Sequence, residues 1–85
     1  MSDIYPNPAA SEVQFVLLAE EVGPSVEVGL FTLTGTEVMP IYQGELVAGW
    51  PTPVSFDASG LESGMYQVRL TSKNFVTSKK LLVVH

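Results

Sequence analysis

A single histidine, no cysteine, nine carboxylates and four bases are the groups from which this 85-residue chain must build any chemistry. The histidine is His85, the last residue, where a side chain frays and no neighbouring shell fixes its tautomer. That is a poor place for a general base or a metal ligand. Serines are plentiful, but with no histidine in the body of the chain no Ser-His-Asp arrangement can form. Lack of cysteine removes the thiolate nucleophile, the thiolate metal ligand and the disulfide together. Glu20 and Glu21 are adjacent, so a strand would point them to opposite faces and a turn would leave them solvated. Asp57 and Glu62 flank one loop but lack the dense oxygen spacing of a calcium loop. Gly60-Leu61-Glu62-Ser63-Gly64 has no Lys-Ser/Thr and no following helix, so it is not a phosphate-binding loop. The survey points away from an enzyme, and no cofactor or metal is expected.

Two features allow recognition instead. Trp50 sits in a Gly/Pro-rich loop and has two readings: a cap on a small core, or an exposed platform for a sugar ring. Tyr5 and Tyr42 could join such a platform, whereas Tyr66 alternates with core positions. The second feature is charge order. All nine acids lie between Asp3 and Glu62, and all four bases (Arg69, Lys73, Lys79, Lys80) follow them. Those bases either guard strand edges or make a basic surface that a partner reads. Four bases without an aromatic-basic cluster, in a chain of net charge −5, make no nucleic-acid footprint.

The elements that must position these residues are strands. Pro6 and Pro8 exclude helix from Ile4 to Pro8, so residues 1–11 read as an extended entry segment. Val13, Phe15 and Leu17 alternate in a first strand over 12–19, and Glu20 to Pro24 turns the chain. Val26, Val28 and Leu30 alternate in a second strand over 25–33, closed by Thr34-Gly35-Thr36. A third runs over 37–43 with Pro40 marking an edge or a bulge. Residues 43–52 are the loosest stretch. Val54-Ser55-Phe56 is a short fourth strand, and 57–64 is a turn with room for one helical turn. Met65–Thr71 alternates with Tyr66, Val68 and Leu70 on one face. Ser72-Lys73-Asn74 turns, and 75–84 returns as one strand, or as two broken near Ser78-Lys79.

No amphipathic helix of ten residues is visible. With 46% apolar residues and 15% charged, the chain holds one core of modest stability, burying roughly 60–65% of its unfolded surface. Six or seven short antiparallel strands with regular turns predict a single all-β domain over 1–85, an immunoglobulin-like β-sandwich occupying 12–85. The longest apolar run near an end, Leu81 to Val84, is too short to cross a bilayer, so no membrane insertion is expected. No secretory signal is visible. The sequence reads as a piece of something longer, so missing targeting signals say nothing about a parent protein.

Several segments now combine. Tyr5-Pro6-Asn7-Pro8 precedes an alternating strand. Val28 to Val38 contains the Gly35 turn. Leu61-Glu62-Ser63-Gly64-Met65-Tyr66-Gln67-Val68-Arg69-Leu70 follows Val54 to Asp57, and Lys79-Lys80-Leu81-Leu82-Val83-Val84 ends the series. In order and spacing this resembles the type A C-terminal sorting domain of the Bacteroidetes type IX secretion system. That family has a Y-P-N-P box, a glycine turn, an L-x-x-G-x-Y-x-V-x-L segment and lysine-led apolar terminal residues. Two departures stand out. Thr36-Glu37 follows the middle glycine where members often carry a base, and the 43–53 loop with Trp50 is longer and more apolar.

Each box has a folding role of its own. Pro6 and Pro8 stiffen the entry, Asn7 bonds local backbone, and Gly35 and Gly64 supply turn geometry. Leu61 and Tyr66 would plug one end of the sandwich. The resemblance implies more. Such a domain ends a cargo protein that reaches the periplasm by a Sec signal and continues to the cell surface or beyond. The type IX translocon recognises the folded domain, outer-membrane shuttle and sortase proteins act on it, and the sortase usually removes it near its N-terminal side. The runner-up is a carbohydrate-binding or adhesive immunoglobulin-like module. An exposed last strand would also allow a weak homodimer by edge addition.

Overall fold

The computed structural model describes residues 1–73 and 76–85. Six strands form two antiparallel sheets: β1 (Glu12–Leu17), β2 (Ser25–Thr32), β3 (Glu37–Glu45), β4 (Thr52–Asp57), β5 (Gly64–Ser72) and β6 (Val76–Val83). β1 pairs with β4 in a small sheet, and β3-β2-β5-β6 make the larger one. The chain is all-β, in the two-layer arrangement of an immunoglobulin-like sandwich.

Alternation explains the packing. Val13, Phe15 and Leu17 of β1 and Val54 and Phe56 of β4 face Val26, Val28, Leu30, Val68, Leu70, Leu81 and Val83 of the larger sheet, and all are buried. The other face of the larger sheet is solvated. There Arg69 stacks its guanidinium 4.3 Å from the Phe31 ring centroid. Gly29 lets this happen: a β-carbon on it would lie 3.0 Å from Phe31 Cε1 and 2.7 Å from Glu37 Oε2.

Some expectations shift. Residues Ala19–Val22 form a single helical turn, α1, so β1 stops at Leu17 instead of running to Ala19. The turn ends at Gly23, whose φ of 94° and ψ of 170° lie in a region essentially restricted to glycine. β3 continues to Glu45. It is an edge strand, and its register slips between Val28 and Gly29 of β2, so that Gly29 faces Pro40 while Val28 faces Tyr42. Both readings of Pro40 therefore hold. β6 runs unbroken through Ser78-Lys79. The expected turn residue Asn74 and strand start Phe75 lie outside the described residues.

Candidate recognition surface at the first segment and the final strand

The first nine residues do more than lead into the sandwich. Ser2 donates its backbone N–H to the Val16 carbonyl at 2.9 Å, and Tyr5 and Gln14 exchange two backbone bonds of 3.0 and 2.8 Å. This lays residues 2–5 along the open edge of β1, antiparallel to it. After Pro6-Asn7-Pro8 the chain has crossed to the other sheet. Ala9 donates to the Leu82 carbonyl at 2.7 Å and accepts from the Val84 N–H at 2.8 Å. Ile4 and Ala9 are buried with the core.

Asn7 makes the crossing specific. Its Nδ2 donates to the Lys80 carbonyl at 3.1 Å, and its Oδ1 accepts from the Leu82 N–H at 3.0 Å. One amide thus serves both a donor and an acceptor of the β6 edge, as a neighbouring strand would. The bonds are long-range, not the local backbone contacts expected of Asn7. The partners lie 73 and 75 residues away.

The lysine-led terminal residues divide between two faces. Leu81 and Val83 are fully buried, and Lys79 on their side pairs its Nζ with Asp3 Oδ1 at 3.1 Å. That pair is exposed on the Asp3 side and contributes little. Lys80 and Leu82 project to the solvated face, opposite Gln67 and Met65 in the β5–β6 register. Met65 is exposed, and Leu82 is half-buried. This face therefore offers two apolar side chains beside a lysine.

The remaining motif residues gather at one end. Gly64 faces Val83, and Tyr66 faces Leu81 on one side and Thr32 on the other. Leu61 and Tyr66 pack against the core, and the Tyr66 hydroxyl donates to the Glu62 carbonyl at 2.7 Å. Gly35, with a φ of 96°, sits in the Thr32–Thr36 turn, which is closed by a 2.9 Å bond from the Thr32 N–H to the Thr36 carbonyl. Val84 is exposed. His85 is tied down: its N–H donates to Ser63 Oγ at 3.1 Å, and its Nε2 lies 2.7 Å from the Leu61 carbonyl.

Two readings of the far loop change. Trp50 does not cap the core, since it is 71% exposed. Glu20 is not simply solvated, because it accepts a hydrogen bond from the Gly49 N–H and so braces the loop below Trp50. Bonds from its own N–H and then from Gly49 hold the Glu20 carboxyl below the ordinary carboxylate range. Asp57 is lowered likewise, by the Ser59 N–H and hydroxyl. No sequence signal marks the Glu20–Gly49 brace, because Glu20 lies in α1 and Gly49 in the β3–β4 loop, 29 residues apart.

No curated protein and no solved structure matches the chain. One family does, described as the secretion system C-terminal sorting domain, and the match covers residues 3–84. With nearly the whole chain spanned, it belongs to this family of type IX secretion sorting domains, which is not a family of enzymes but one of signals that send an attached protein out toward the cell surface.

Proposed function

We propose that the type IX translocon reads this domain in its folded state, through the solvated face of β6 around Lys80 and Leu82. One observation carries the reading: Asn7 of the opening box and Ala9 just after it hydrogen-bond to Lys80, Leu82 and Val84 of the closing one. The two motifs furthest apart in the chain are neighbours only once the sandwich has formed. A machine that reads both therefore reads a folded object. The cargo precedes the domain in the parent chain and passes through the periplasm with it. Outer-membrane shuttle and sortase proteins act on the domain, and the surface sortase severs the junction near its N-terminal side.

The test is a fluorescent cargo fused ahead of this chain and sent to the periplasm of a type IX-competent host. Lys80→Gln combined with Leu82→Ser changes the solvated face and spares Leu81 and Val83. The doubly changed domain keeps its cooperative melt, while surface fluorescence falls about tenfold, as for a loss of roughly 1.4 kcal/mol of binding. Undiminished display would remove the recognition from this face.

The exposure of Trp50 favours a second reading, a glycan contact at the braced loop. A glycan array would then show binding that Trp50→Ala abolishes. An array without signal disposes of it.

A further inference from the structure

The segment of residues 1–9 is held in an unusual way. Most of its bonds involve main chain, at Ser2, Tyr5 and Ala9, together with the short side chains of Ser2 and Asn7. They fall on two separate edges, that of β1 and that of β6. Its apolar anchors are Met1 and Ile4 on the β1 side and Ala9 on the β6 side. Between this segment and β1 stand only Ala10 and Ser11, both exposed.

We propose that residues 1–9 form an exchangeable strap, and that the two edges beneath it accept the same segment from a second copy of this chain. Every contact within one copy can be remade between two, so the closed and exchanged forms differ mainly in the hinge and in the cost of association. A hinge as short as Ala10-Ser11 favours the exchanged form, where it can extend. The occupant is specified by its own sequence. An arbitrary strand lacks an amide side chain between two apolar anchors at the positions of Ile4, Asn7 and Ala9. With the strap lifted, Leu82 and Val84 present unmet backbone groups, the property that makes an open edge recruit another chain. The inference concerns the strap alone and stands apart from the translocon reading, which the display assay tests separately.

The absence of native cysteine makes the experiment clean. One preparation carries a donor dye at Asp3→Cys on the strap, and another an acceptor dye at Ser78→Cys on β6. Both positions are exposed. On mixing, energy transfer between copies grows with protein concentration. Excess unlabelled peptide of sequence 1–9 suppresses it. Asn7→Ala removes both side-chain bonds to β6 and speeds the exchange about tenfold. If Asn7→Ala does not fold, Asn7→Asp takes its place, keeping the acceptor for the Leu82 N–H and losing the donor to the Lys80 carbonyl. No transfer between copies overturns the proposal. So does transfer that the peptide leaves intact, or a rate indifferent to the change at Asn7.

Discussion

A chain ended at Ser78 is expected to lose its fold and its surface display together. Residues 79–85 carry Leu81 and Val83, both fully buried. They also supply the β6 side of five of the eight register pairs with β5, from Gly64↔Val83 to Val68↔Lys79. The strap loses its partners as well, since Asn7 and Ala9 bond to Lys80, Leu82 and Val84. Removing a buried Leu side chain alone costs about 2–5 kcal/mol. A domain of this size is stable by only about 4–13 kcal/mol. Circular dichroism of the shortened chain should therefore show no cooperative melt, and the fused cargo should stay inside the cell. A folded shortened chain would contradict the packing of β6. Lost display after this cut thus reports folding as much as recognition, and the paired change at Lys80 and Leu82 separates the two.

Phe15→Ala should be the most damaging single substitution in the smaller sheet. Phe15 lies mid-β1 opposite Val54 and is the largest fully buried side chain among the described residues. The truncation is expected to cost about 3–5 kcal/mol. For a domain of this length the melting temperature should fall by roughly 12–40 °C. Urea titration checks it, with the midpoint lowered and the slope unchanged. A loss below about 1 kcal/mol would mean that the β1–β4 sheet is not the lid of the core. None of the solvated β6 face is touched, so at low temperature display should survive in proportion to the folded fraction.

The strands were legible because one buried face per strand imposes a period of two. Tyr66, Val68 and Leu70 mark β5, and Val26, Val28 and Leu30 mark β2, without reference to any other part of the chain. Pro40 could be placed at an edge because its missing N–H excludes a central strand. What stayed illegible depends on partners distant in sequence. Asn7 in a Pro-Asn-Pro setting reads as a turn residue, and nothing nearby reveals that its amide reaches β6. Glu20 in α1 and Gly49 in its loop each look ordinary until the fold brings them together. Trp50 defeats a composition argument, since a small core usually claims its single tryptophan, whereas this loop is held from below and leaves the ring outside. The four terminal apolar residues read as one block, yet a strand must send them alternately to opposite faces. Of the candidate recognition residues, order and spacing identified the boxes, and only the pairing of strap and β6 showed that they adjoin.

The path of the strap has one last consequence. Ser2 lies beside Val16, near the far end of β1, while Ala9 lies beside Val83, near Leu61 and His85. The long dimension of the molecule is 37 Å. A bulky passenger joined ahead of Met1 therefore hangs from the pole opposite the one where β6 finishes. Steric crowding by the passenger is least where Val84 and His85 emerge, so a large docking partner can grip that pole whatever the size of the load behind it.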